Sequence, residues 1–224
     1  MPEQRISTSR KARFPGLDAE ATPVIGLGLG LTGLILGLRP RLAPVSLALT
    51  AAAALLYRDP ERATPTETES IFAPADGLVI GVEDLYEHRF LHTDAVRLTI
   101  AVSLFDVAVH RSPASGVVAY LEHIPSAYRP AWDVRSADQG ERQYIGIKTA
   151  WGPLLVAIVA GPLGRRLDCQ VGLGDLLRAG ARLSKARFGS RVELLLPRDA
   201  AEGLPELGDR LRAGMTRIGH VVPL

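Results

Sequence analysis

"LGDLLRAG" occupies residues 173–180 and "LGDRLRAG" residues 207–214. The two stretches differ at one position, where Leu176 meets Arg210. Chance is a poor explanation for an identity of this length, and a repeated structural unit is a better one. In each copy Gly-Asp forms a tight turn, because Asp bonds its own backbone and Gly supplies a positive φ. Leu177 and Leu211 follow two places after the Asp, set to plug the end of a β-structure, and Ala-Gly makes a second turn. Between the twins lies "KARFGSRVELLLP" (185–197), where Val192, Leu194 and Leu196 alternate with Arg191, Glu193 and Leu195 before Pro197 closes the run. That is the pattern of a strand. Gly189 and Ser190 stand where it should be best paired, and a glycine there weakens a strand and marks a bulge or a close backbone approach.

Outward from the twins, the chain after about residue 63 reads as short strands between turns. "GLVIGVEDL" (77–85), "AVRLTIAVSLF" (95–105), "GVVAYLEHI" (116–124), "QYIGIKTA" (143–150) and "PLLVAIVAG" (153–161) are rich in Val, Ile and Leu and bounded by Gly, Pro and Asp. A helical reading competes only over "LPELGDRLRAG" (204–214). With their turns and plugs, the twins resemble the hammerhead units of lipoyl- and biotinyl-type domains. The resemblance implies a mainly β (α+β) fold, a barrel-sandwich-like domain of two quasi-repeated hammerheads.

The N-terminal quarter differs. Arg5, Arg10, Lys11 and Arg13 face one acid, Glu3, in residues 1–14. Two apolar runs follow, "VIGLGLGLTGLILGL" (24–38) and "LAPVSLALTAAAALLY" (42–57), separated by Arg39 and Arg41 and ended by Arg58. A spanning helix needs roughly 20 apolar residues, so each run is short. A tight hairpin, a re-entrant pair, and one tilted span with a surface helix all fit. Basic residues at both outer ends favour cytoplasmic sides for the two flanks. The expected division is residues 1–62 as a basic N-terminus with membrane-associating helices and 63–224 as a β-rich domain on the cytoplasmic face of the cell membrane. A net charge of +2 argues against a nucleic-acid binder. Cys169 is the single cysteine, without Cys or His partners at ligand spacing, so neither a disulfide nor a metal site is expected.

Several stretches, in order, resemble the short form of the phosphatidylserine decarboxylase family: "YRDPER" (57–62), "APADG" (73–77), "SLFDVAVHRSPASG" (103–116), "RSADQGER" (135–142), "AGPLGRRLDCQVGLGD" (160–175) and "RFGSRVELLLP" (187–197). Each motif alone is weak, and the ordered set is specific. The resemblance implies a proenzyme that cuts itself between Gly189 and Ser190. The products would be a β-chain (1–189) and an α-chain (190–224), held as a heterodimer. Ser190 would become a covalent pyruvoyl group, the ketone that condenses with the amine of phosphatidylserine so that carbon dioxide leaves and phosphatidylethanolamine results. Implied partners are an anionic phospholipid and the membrane, with a homo-oligomer left open.

The resemblance also implies roles for other residues. Asp76 in "APADG" would join a charge relay, although a turn-forming Asp is the plain alternative. The imidazole of that relay is displaced, for Ala108 stands where the family has histidine and His110 stands two places on. Residues two apart on a strand share a face, which lets His110 serve the same cavity, a polar strand histidine without a role being the alternative. Arg111 and Arg142 are candidate clamps for a phosphodiester, because guanidinium forks match phosphate oxygens; structural ion pairs with Glu141 or Asp106 are the alternative. Two other functions compete. One is a self-cleaving relative with a different headgroup. The other is a membrane-tethered structural or adaptor domain, which as a carrier would need Lys185 on an exposed hairpin.

Overall fold

The structure is a computed structural model that describes residues 16–65, 70–125, 140–161 and 167–221. The described chain falls into two compact units, one ending at Glu61 and one beginning at Arg62.

In the first unit, α1 (Ala21–Leu38) and α2 (Ala43–Leu55) are joined by a 3-10 turn over Pro40–Leu42. Pro44 sits in the first turn of α2, where its missing N–H costs nothing. The two helices meet through small residues. Gly28 lies against Thr50, and the Thr32 and Ser46 hydroxyls hydrogen-bond at 2.9 Å. Thr32 and Thr50 also donate to the carbonyls of Gly28 and Ser46, so no hydroxyl among the three is left over. Leu27, Leu29, Leu31, Leu34, Leu36 and Leu38 remain exposed. With a mean hydropathy of 1.8, α1 is long and apolar enough to cross a membrane. The N-terminal basic cluster lies outside the described residues.

The second unit is mainly β. Its strands are β1 (Ser70–Phe72), β2 (Gly77–Glu87), β3 (Thr93–Val102), β4 (Val109–Arg111), β5 (Gly116–Ile124), β6 (Arg142–Thr149) and β7 (Gly152–Ala160). They continue with β8 (Leu167–Cys169), β9 (Leu176–Leu177), β10 (Arg182–Ala186), β11 (Ser190–Pro197), β12 (Ala201–Glu202), β13 (Arg210–Leu211) and β14 (Arg217–Val221). Eight of them form a curled antiparallel sheet in the order β13-β2-β3-β11-β7-β6-β5-β9. Two three-stranded sheets, β1-β14-β12 and β4-β10-β8, complete the unit. The large sheet is curled into a half-barrel and open, with β13 and β9 as its edges.

The core explains the curl. Val79, Leu98, Ile100, Val192, Leu194, Leu196, Val156, Ile158, Ile145 and Ile147 line the concave face and pack with Leu183 and Ala186 of β10. The other face carries a smaller cluster of Leu91, Ala95, Leu155, Ala157 and Leu195. β7 is therefore covered on both sides, which is why "LLVAIVA" is an unbroken apolar run with no alternation.

The twin octapeptides occupy the two sheet edges and make matching contacts. The Asp175 carboxylate accepts from Gly172 N–H at 2.8 Å, and that of Asp209 from Glu206 N–H at 2.9 Å. Gly174 N–H reaches Val118 O, as Gly208 N–H reaches Val79 O. Leu177 pairs with Gly116 and Leu211 with Gly77, and both leucines are buried. No helix forms over 204–214; Gly208 and Asp209 turn the chain, and Gly208 has φ 95°.

Candidate active site

Three elements converge on Ser190. β11 begins at this residue, so its backbone is fixed by pairing with Val102 of β3 on one side and Ala160 of β7 on the other. Alternation places Ser190 on the concave face with Val192 and Leu194. β4 brings His110 from the neighbouring sheet, and the loop before β2 brings Asp76. His110 Nε2 lies 3.2 Å from Ser190 Oγ. The imidazole is 0 % exposed and the serine 8 %.

Burial governs the imidazole. It pushes the His110 pKa down to about 4, against a smaller upward pull from the Asp76 carboxylate. At neutral pH the ring is therefore uncharged. With its proton on Nδ1, Nε2 accepts from the serine hydroxyl. Nδ1 itself is buried and has no hydrogen-bond partner among the described residues.

The bond that precedes Ser190 has an uncommon backbone. Phe188 has φ 65° and Gly189 φ 86°, two successive left-handed residues. For a bulky residue such as Phe this is strained. The Gly189 carbonyl accepts a hydrogen bond from Gly161 N–H at 3.1 Å. β11 thus begins at Ser190, and Gly189 is the hinge at its mouth.

A family model described as phosphatidylserine decarboxylase matches residues 49–219. The phosphatidylserine decarboxylase proenzyme of Symbiobacterium thermophilum is 38% identical over 210 residues, covering 93% of this chain and 97% of that protein. Those of Carboxydothermus hydrogenoformans and Chlorobium phaeobacteroides are 36% and 34% identical, covering 74% and 85% of this chain and 78% and 91% of theirs. The chain belongs to the phosphatidylserine decarboxylase family.

Not every residue expected in this family's site gathers around Ser190. The Asp76 carboxylate is not hydrogen-bonded to His110. Arg62 grips it with both terminal nitrogens, at 2.5 and 2.7 Å, and Ala213 N–H donates to it at 2.7 Å. Arg62 also donates to Ala213 O at 2.8 Å. Asp76 thus acts on the imidazole through space, as a charge already paired. Arg111 is buried and donates to Gly180 O at 3.0 Å, so its guanidinium is committed inside the fold. Arg142 pairs with Val159, which pairs with Arg191, so its side chain starts from the face opposite Ser190. Residues 135–139 of "RSADQGER" and 162–166 of the following motif lie outside the described residues.

Other neighbours were not anticipated. Ser184 is paired with His110 across β10 and β4, is buried, and its hydroxyl lies 3.4 Å from the Gln143 amide oxygen. Burial raises the Cys169 thiol above its ordinary pKa, and its Sγ lies 3.2 Å from Val171 O, in keeping with a structural role. Lys185, the lysine a carrier domain would need at a hairpin tip, lies within β10 and pairs with Val109 and Asp168. That placement removes the carrier reading. Among the described residues no cluster of His, Cys, Asp and Glu is arranged to hold a metal.

Proposed function

We propose that this chain is a phosphatidylserine decarboxylase made as a proenzyme, which cuts itself between Gly189 and Ser190. The observation that carries this reading is the buried contact between His110 Nε2 and Ser190 Oγ, placed directly after a left-handed Phe188-Gly189 pair. In the reaction, Ser190 Oγ attacks the Gly189 carbonyl carbon as His110 takes the hydroxyl proton. The C–N bond breaks, the amine leaves with that proton, and an ester joins Gly189 to the serine oxygen. Removal of the Ser190 Cα proton then expels the Gly189 carboxylate, and hydrolysis leaves a pyruvoyl group with release of ammonia.

The residues present fit such a group: its atoms arise from Ser190, on the concave face and against an uncharged imidazole. The pyruvoyl carbonyl supplies an electron sink for loss of carbon dioxide from the serine headgroup of the lipid. In this reading His110 moves protons at Nε2, Asp76 steadies the ring when it is charged, and the concave core keeps bulk water away. The twin octapeptides are read as the two halves of a barrel-sandwich arrangement that opens at Ser190. Intact mass of the purified protein tests the proposal: a fragment covering 190–224 with a pyruvoyl terminus is expected, and a single unmodified chain from an active preparation refutes it.

The same reading assigns membrane attachment to α1 and α2, with the β unit at the cytoplasmic face. Deleting residues 1–57 is expected to release the protein from the membrane pellet after a high-salt wash. Retention of the truncated chain in the pellet would place the anchor elsewhere.

A further inference from the structure

Gly161 directly follows β7 at the edge of the site, and three observations concern it. Its N–H lies 3.1 Å from the Gly189 carbonyl oxygen. A Cβ added at 161 would stand 2.5 Å from that oxygen and 2.9 Å from the carbonyl carbon, so any side chain there pushes the carbonyl away. And the ladder that delivers this N–H is rigid, since β7 and β11 pair without a break from Ser190↔Ala160 to Leu195↔Leu155.

We propose that the Gly161 backbone N–H is the oxyanion donor for self-cleavage. The proposal rests on the reading that the chain cuts itself at 189/190. When Ser190 Oγ bonds to the Gly189 carbonyl carbon, the C=O electron pair moves onto the carbonyl oxygen, and the serine proton moves to His110. The oxygen that gains the charge is the one that Gly161 N–H already touches. Collapse returns the pair to C=O, breaks the C–N bond, and sends the proton to the departing amine. A donor fixed before the reaction and strengthened as charge develops lowers the barrier without reorganisation, provided it lies about 2.7–3.1 Å from the place the oxyanion takes. The strained Phe188-Gly189 backbone holds the carbonyl at this position, and the absence of a Cβ at 161 lets the two backbones come this close.

A plain last rung of the sheet would show the same hydrogen bond, so the test separates the two. The full-length chain is made by in vitro translation with phospholipid vesicles, with glycolic acid in place of Gly161. The N–H becomes an ester oxygen, the Ala160 carbonyl becomes an ester carbonyl, and every side chain is kept. A control chain carries lactic acid in place of Ala157, which pairs with Glu193 in the same β7–β11 ladder. The readout is a gel time course of fragment release, with protease resistance reporting the folded state. Removing one oxyanion donor costs on the order of 10²–10³ in rate. The 161 ester is expected to cleave that much more slowly while staying folded, and the 157 ester to cleave within a few-fold of the unmodified chain. Equal slowing in both esters, or normal cleavage in the 161 ester, overturns the assignment. Failure of the unmodified chain to cut at 189/190 overturns the self-cleavage reading and this proposal with it, a result distinct from either of the others.

Discussion

Ser190→Ala is expected to leave the chain whole, at its full 24.0 kDa, with no decarboxylase activity and nothing for borohydride to reduce. The effect is total because the substitution removes both the nucleophile and the atoms from which the ketone would be made. The fold should survive. Ser190 contributes pairing to Val102 and Ala160 through its backbone, and alanine pairs equally well. Ser190→Cys should cut slowly, since a thiol also accepts the acyl group. A gel and an intact mass on the three proteins decide the matter. Fragments from the alanine variant would mean that the cut is made elsewhere or by another protein.

The second large effect is expected at His110. General acid–base groups contribute on the order of 10²–10⁴-fold in rate, so His110→Ala should slow self-cleavage by that amount. Its pH dependence is specific. The imidazole must be neutral to accept a proton, and burial places its pKa at about 4. Wild-type cleavage should therefore stay level from pH 7 to about 5 and fall as the pH passes through 4. Stability follows the same group. Between its ordinary value of 6.5 and about 4 the unfolded chain binds a proton at residue 110 that the folded chain does not. This contribution to stability accordingly rises with pH across that window and is diminished on acidification. The double variant Ala108→His with His110→Asn tests whether one cavity can be served from either position. Ala108 lies just before β4, where its carbonyl accepts from Ala186 N–H. Recovery of most of the lost rate is expected; wild-type rates in His110→Ala would place the base at another residue.

Much of the β unit was legible because its signals are local. Gly116 and Pro197 bound their strands, so β5 and β11 appear over the residues expected. The Gly-Asp turns outrank the apolar spacing of Leu204, Leu207 and Leu211 that had offered a helix over 204–214. That the sheet curls without closing was not legible, because it depends on the twist accumulated over eight strands rather than on any one of them. At the site, a place for His110 in the cavity of Ser190 was suggested by the resemblance and by the two-residue strand period, which sets it on the face of position 108. The Arg62–Asp76 clasp did not, although "YRDPER" and "APADG" had both been singled out, because nothing in either motif says that they meet. The face taken by Arg142 also needed register: alternation along β6 is visible in the sequence, but only pairing with Val159 and Arg191 shows which side Ser190 does not share.

β11 lies fourth of eight in the large sheet, hydrogen-bonded on both flanks. A cut at its first residue, on the reading proposed above, turns a folded chain into two that never had to find each other. While the chain is continuous, the effective concentration of β11 for the gap between β3 and β7 is set by tethering. After the cut it is set by protein concentration alone. The mature enzyme would then hold its shape as a memory of its uncut precursor: stable once formed, yet dependent on a two-body encounter to re-form after unfolding. Heat or denaturant should do reversible damage before cleavage and lasting, dilution-sensitive damage after it.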